Sequence, residues 1–344
     1  MHLDSTGRKL PTKEFNGKPV PYDNLRRYIQ TRRFECWSQI RAAFDSLPQP
    51  RWLFRGQSDA RWPLRTTLER ALERHDYYHE ENYLISLFKS RAHHYLTSTP
   101  AHDNDLEWLA LMQHHGAPTR LLDFTVSPYV ALYFAIERVS TARCAVWAVN
   151  GPALQDRTEY LLSSIKEWHD LGLPDGFEEK PLDYWLQGTP AAFSSVFLNN
   201  QCSFVCPVQP SRVNERMVTQ QGVFLCPGKS HYWDSFEMNL LSIVTLTNLP
   251  DYIEPAWNPP LIYHLTVPAT LRAEILSELN RMNINRATLF PGLDGFAASL
   301  ASALTVRRTD LSKKFGKGKN DNSPALPQPE PVAGSIPEKA GDEG

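Results

Sequence analysis

The sequence predicts an α+β fold, with a central mixed, largely antiparallel or split sheet flanked by helices. Three observations predict it. Apolar, β-branched runs at Trp52–Phe54, Ala145–Val149, Val223–Cys226 and Leu261–Val267 read as buried strands. Stretches with apolar residues at helical spacing lie between and around them, at Asn24–Phe44, Thr67–His94, Leu106–Met112, Val130–Ala135 and Ala269–Met282. The strands are also too irregularly spaced for the steady strand-helix alternation of a doubly wound sheet.

Taken in order, residues 1–22 hold Pro11, Gly17, Pro19 and Pro21 with little periodicity, and they read as an extended arm. An α+β domain then runs over 23–306. Its opening segment, Asn24–Phe44, is expected to be helical, with Leu25, Tyr28, Ile29, Trp37, Ile40 and Phe44 on its core face. The strand Trp52–Phe54 ends in Arg55, Gly56 and a polar turn that begins at Gln57. Thr67–His94 reads as one long or two broken helices, with Arg65, Arg70 and Arg74 forming a basic edge. That edge is either a solvated face or an extension of a phosphate site. A loop-and-helix region covers 152–198, and a second apolar strand lies within Asn199–Gln209. A polar bend at Ser211–Arg216 turns Arg216 and Gln220 toward the Val223–Cys226 strand. The domain closes with a helix from Gly295 to Leu304. From 307 to 344 the chain is rich in Pro, Glu, Gly and Ala after a short lysine cluster, which is the composition of a disordered tail.

The totals narrow the function. With 42% hydrophobic residues in 344, a sizeable core is available. A net charge of -2, from 36 basic and 38 acidic residues, argues against a broad basic surface for nucleic acid. No apolar run approaches the roughly 20 residues of a spanning helix, and no signal segment opens the chain, so no membrane is implied and the cytoplasm is the default location. The odd count of five scattered cysteines is no disulfide framework. Reduced thiols are expected, and the loose spacing of Cys202, Cys206, Cys226 and His231 does not read as a metal site. Phosphate-loop, Gly-x-Ser-x-Gly and His-Glu-x-x-His motifs are absent.

Polar side chains are densest between Leu109 and Ala135. Gly116 supplies the left-handed residue that ends a helix carrying Gln113, His114 and His115 in its last turn. Thr119–Phe124 is expected as a short strand bearing Arg120 and Asp123, and Ser127-Pro128 restarts a helix with an N-cap and a proline at its first position. Asp123, Thr125 and Ser127 thus stand at a helix N-terminus, which suits an anionic group, although Ser127 or Thr125 can equally serve as the cap alone. His115 is either a proton carrier near neutral pH or a C-terminal cap. Arg55, at its strand end beside glycine, either aims a planar fork at phosphate or forms a structural salt bridge to Asp59 or Asp123.

Phe54-Arg55-Gly56, Gln113–Thr125, Arg216–Phe224 and the Met282–Gly295 stretch together resemble the FRG-domain family, over roughly Tyr28 to Ala303. More distantly, the aromatic-Arg-Gly strand and the Phe124–Ser127 strand entering Val130–Phe134 are similar to arginine-class ADP-ribosyltransferases. That resemblance implies an ADP-ribosyltransferase-like fold, NAD as co-substrate, no metal, and an arginine, Arg55, on the NAD phosphates. Where those enzymes place a glutamate, this chain has Gln221 or Gly222 in Gln220-Gln221-Gly222-Val223. The candidates for chemistry are therefore Arg55, His115, Asp123, Gln220 and Gln221. Candidates for ligand binding are Arg55, Gly56, Gln57, Arg120, Thr125, Ser127 and Arg216. Two functions are expected: an NAD-using intracellular effector that transfers ADP-ribose or cleaves NAD, associated with toxin or antiphage roles, or a nucleotide- or phosphate-ligand sensor without turnover. Arg55, Arg120, Asp123 and Gln220 are expected to meet in one cleft.

Overall fold

A computed structural model of the chain describes residues 13–15, 18–20, 28–47, 52–72, 80–139, 141–163, 193–198, 202–228, 235–246, 260–301 and 304. The expected tail from 307 lies outside the described residues. Strands β1 (Lys13–Phe15) and β2 (Lys18–Val20) pair as a small antiparallel ribbon within the predicted extended arm.

The main sheet is built from β3 (Ile29–Arg33), β4 (Trp52–Gln57), β5 (Leu122–Thr125), β6 (Arg143–Asn150), β7 (Val205–Val208), β8 (Gly222–Pro227) and β9 (Ile262–Pro268). Its order is β3-β9-β6-β4-β5-β8-β7, seven strands in one sheet. Only β3 and β9 run parallel; every other pairing is antiparallel. The fold is therefore α+β around a mixed, largely antiparallel sheet. One seam is thin: β4 and β5 share the single register pair Phe54↔Thr125, whereas β4 and β6 are paired from Trp52↔Asn150 to Gln57↔Ala145.

The helices follow as α1 (Trp37–Asp45), α2 (Thr67–Leu72), α3 (Glu80–Ala92), α4 (Asp105–His114), α5 (Pro128–Ile136), α6 (Gly151–Ser163), α7 (Glu215–Thr219), α8 (Phe236–Val244), α9 (Arg272–Arg281) and α10 (Arg286–Leu289). Helices α1, α5 and α9 cover one face of the sheet with Trp52, Phe54, Val146 and Ala148. Helices α4, α6 and α8 cover the other with Leu53, Trp147 and Val149. The central strands read as unbroken apolar runs because both of their faces are buried. No helix among the described residues is long and apolar enough to cross a membrane. All five cysteines are free thiols, and no group of three potential metal-ligating side chains occurs among the described residues.

Two expected elements are corrected. Asn24–Phe44 is not one helix. Ile29–Arg33 is an edge strand in register with Ile262–Thr266, and α1 begins only after Cys36. Hydrogen bonds to a strand more than 200 residues away outweigh the local helical reading there. The strand expected at Thr119–Phe124 instead spans Leu122–Thr125. The Thr119 backbone is engaged by α2, its N–H donating to Thr67 Oγ1 at 2.9 Å and its carbonyl accepting from Leu68 N at 3.0 Å.

Glycine at position 56 sets the distance between β4 and α5. A Cβ there would lie 2.0 Å from the Ala131 carbonyl oxygen and 2.6 Å from Ala135 N, both backbone atoms of a buried helix. Gly56→Ala must push strand and helix apart, and it is expected to destabilise the protein by about 1–3 kcal/mol. A thermal melt reads this as a loss of several degrees, and an unchanged midpoint would show that the two elements have room to separate.

Candidate functional site

Beyond Phe54↔Thr125 the strands β4 and β5 part, and the opening between them is a cleft of about 690 Å³. Its floor is Phe54, Gly56, Phe124 and Thr125, and one wall is the side of α5 at Ala131 and Phe134. Trp62 and Pro63 form the rim, with Trp62 53% exposed. Four arginines line it, Arg55, Arg65, Arg70 and Arg216, against one carboxylate, Asp123.

Arg55 lies across the parting. Its Nη1 donates to the Asp123 main-chain carbonyl at 2.7 Å, which satisfies an acceptor on β5 that no ladder partner on β4 reaches. Its Nε is buried without a hydrogen-bond partner. Burial pulls the Arg55 pKa down, Asp123 opposes that shift, and Arg70 adds to it. The two salt bridges considered for Arg55 are both absent. Asp59 is held by Arg61, with Nη2 at 2.6 Å, and Asp123 meets Arg55 through its main chain.

The carboxylate of Asp123 is oriented by Gln113, whose Nε2 donates to Oδ2 at 2.9 Å. Gln113 is itself fixed, its Oε1 accepting from Thr119 Oγ1 at 2.6 Å. Thr125 Oγ1 donates to the Gln220 carbonyl at 2.7 Å and so ties β5 to the turn before β8. The Gln220 side chain donates to the Leu289 carbonyl at 2.9 Å. Phe290 is flanked by two guanidinium groups, Arg216 at 4.6 Å and Arg286 at 4.7 Å from its ring centroid, and stands edge-on to Phe134. Cation–π contact thus fixes Arg216 against the cleft wall. The Met282–Gly295 motif supports this clamp: Asn283 has a positive φ of 60°, Asn285 and Thr288 form a capping box, and a Cβ at Gly295 would sit 1.8 Å from the Phe290 carbonyl oxygen.

Residues 50–144 match the FRG domain. The match begins just before β4 and ends inside β6, so it carries the Phe54-Arg55-Gly56 tripeptide and the Gln113–Thr125 stretch, the two halves of the parted seam. Arg216 and Phe290 come to the FRG-matched segment from outside it. No curated protein and no solved structure matches the chain.

Of the expected site residues, the cleft gathers Arg55, Gly56, Gln57, Asp123, Thr125, Arg216 and Gln220. Gln57 is anchored by the protein, its Nε2 donating to the Pro63 carbonyl at 3.0 Å and its Oε1 accepting from Trp147 Nε1 at 2.7 Å. Arg120 is elsewhere. It is 4% exposed, pairs with Glu81, and donates to the Phe197 carbonyl. It precedes the strand that carries Asp123, which begins at Leu122, and its side chain is buried toward Glu81. Ser127 does not line the cleft. Its Oγ accepts from Val130 N at 3.3 Å as the cap of α5, and the cleft runs along the side of that helix rather than over its N-terminus. Gln221 is exposed, with φ 49°, and lies outside the lining. His115 caps α4 with its N–H on the Leu111 carbonyl, and it too lies outside.

The histidine at the site is His114. It lines a recess of about 80 Å³ that adjoins the cleft and shares Asp123, Phe124, Arg216 and Gln220 with it. Partial burial, then the neighbouring His115 and Arg216, lower its pKa. Helical spacing identifies it, because Ala110, Gln113 and His114 share one face of α4 and His115 is turned from it. Trp62 had no periodic signal at all.

Helix α2, which carries Arg70, is latched to α8 by Glu69. That carboxylate accepts from Phe236 N and from Thr66 N at 3.2 Å. Burial pushes its pKa up to about 7, opposed by the two N–H groups and Arg65 and reinforced by Glu237. Between about pH 4.5 and pH 7 the folded state holds a proton on Glu69 that the unfolded chain has released. Stability from this group is therefore full below that window and falls as pH rises through it. Denaturant titrations across the window are expected to show this decline, and Glu69→Gln is expected to remove it; an identical slope in the variant would assign the decline to other groups.

Proposed function

We propose that the cleft binds a phosphate-bearing, nucleotide-like ligand, and that binding without turnover is its primary task. The observation that carries this reading is the set of four guanidinium groups around one carboxylate in a space of about 690 Å³. Guanidinium forks suit phosphate oxygens, and a partly dehydrated site strengthens each contact. Arg55 is prepared for this. One nitrogen is engaged with the protein, which holds the plane of the fork where Arg55 lines the cleft. The half-exposed Trp62 offers a face on which a base can stack.

A second reading has a specific observation in its favour. An ADP-ribosyl transferase or NAD glycohydrolase needs an anionic group beside the ribosyl carbon as positive charge develops there. Gln221 and Gly222 provide none, but Asp123, oriented by Gln113, lies on the cleft next to Arg55. In this reading NAD is a co-substrate, Arg55 and Arg216 hold its phosphates, and Asp123 replaces the expected glutamate. Nicotinamide release from NAD by the purified protein separates the two: sustained release supports the enzyme, whereas saturable binding without release supports the sensor.

Arg55→Ala is expected to weaken ADP-ribose binding by about 10-fold to 100-fold, since a hydrogen bond to a charged group contributes roughly 1.5–3 kcal/mol. Arg55→Lys is expected to restore little of it, because a point charge cannot reproduce a planar fork. Calorimetric titration of the three proteins measures this. Unchanged affinity in Arg55→Ala would remove Arg55 from the binding site.

A further inference from the structure

Asp123 is the one acid in a cationic cleft, and its carboxylate is neither ion-paired nor saturated. Arg55 takes its main-chain oxygen, and Oδ2 accepts from Gln113, while Oδ1 has no hydrogen-bond partner among the described residues. A carboxylate repels phosphate, so its presence among four arginines would weaken a site that only held inorganic anions. It belongs to a part of the ligand that is uncharged and donates hydrogen bonds.

The adjoining recess defines that part. It is too small, at about 80 Å³, for a base, and Asp123 stands at its junction with the cleft. Several of the other polar groups there are engaged by the protein. Asn214 Oδ1 accepts from Met217 N at 2.8 Å, Gln220 Nε2 donates to the Leu289 carbonyl at 2.9 Å, and Gln113 is used at both ends. Among the residues that line the recess, Asp123 carries the one carboxylate, the strongest acceptor there. A vicinal diol presents two O–H donors side by side, which is the match for a carboxylate edge.

Resting on the nucleotide-binding reading, we propose that Asp123 reads the ribose diol of the ligand, so that the cleft selects ribonucleotides over deoxynucleotides and inorganic polyphosphates. Arg55 holds the strand that presents the carboxylate, and Gln113 sets its rotation.

The test compares ADP, 2′,3′-dideoxy-ADP and pyrophosphate on wild type and on Asp123→Ala, whose exposed position and retained main-chain carbonyl leave the Arg55 contact in place. Wild type is expected to bind ADP at least about 10-fold more tightly than the dideoxy compound, the loss of roughly one charge-assisted hydrogen bond. Asp123→Ala is expected to bind the two alike, and to bind pyrophosphate no more weakly than wild type. Equal binding of both nucleotides by wild type would overturn the diol assignment and leave the nucleotide site standing. Weakening of pyrophosphate in step with ADP in the variant would overturn it too, by giving Asp123 a structural role. If wild type binds none of the three, the phosphate cleft itself is wrong and this inference falls with it.

Discussion

The hydrogen bond from Arg55 to the Asp123 carbonyl is the contact on which the site depends. A sheet whose neighbours are otherwise well paired meets one seam with a single register pair, Phe54↔Thr125. Past it, the Asp123 carbonyl on β5 has no ladder partner on β4. A side chain on β4 closes that gap at 2.7 Å. One residue thereby allows the sheet to part and furnishes the parting with a cation. Structure and function are not separable at this position, because the bond that completes the sheet also holds the plane of the fork.

Around that contact the chain builds rigidity from elements far apart in sequence. Gly56 lets α5 approach β4, Gln113 ties α4 to Asp123, and the Arg216–Phe290–Arg286 stack brings the C-terminal motif against the cleft. Each is a short-range interaction with little freedom. Phe290 holds Arg216 by cation–π contact and Arg70 Nη1 donates to the Arg65 carbonyl at 2.7 Å, so contacts within the protein fix these members of the cationic lining.

Much of this was legible in the residues. Trp52–Phe54 followed by Arg55-Gly56 announces a strand that ends in a fork, and Ser127-Pro128 announces a helix start; both are local signals with local causes. Arg65 and Arg70 were visible as a basic edge, though only the fold turns them into the cleft. Failures came where long-range pairing decides. The strand Ile29–Arg33 is made by β9, which no local pattern in Asn24–Phe44 reports. Arg120 leaves the cleft for a different reason: it lies before β5 and is claimed by the buried Glu81, a partner 39 residues away that no local pattern reports. Of the adjacent histidines, His114 rather than His115 lines the recess, a difference set by helical spacing.

In the proposed function the Arg55 fork, which lines the cleft, holds a phosphate of the ligand. Crystallising the protein with ADP-ribose tests it most directly. A phosphate oxygen is expected about 2.7–2.9 Å from an Arg55 guanidinium nitrogen, with the Nη1 contact to Asp123 retained. Ligand density elsewhere on the protein, with no phosphate oxygen within hydrogen-bond distance of the Arg55 guanidinium, would contradict it.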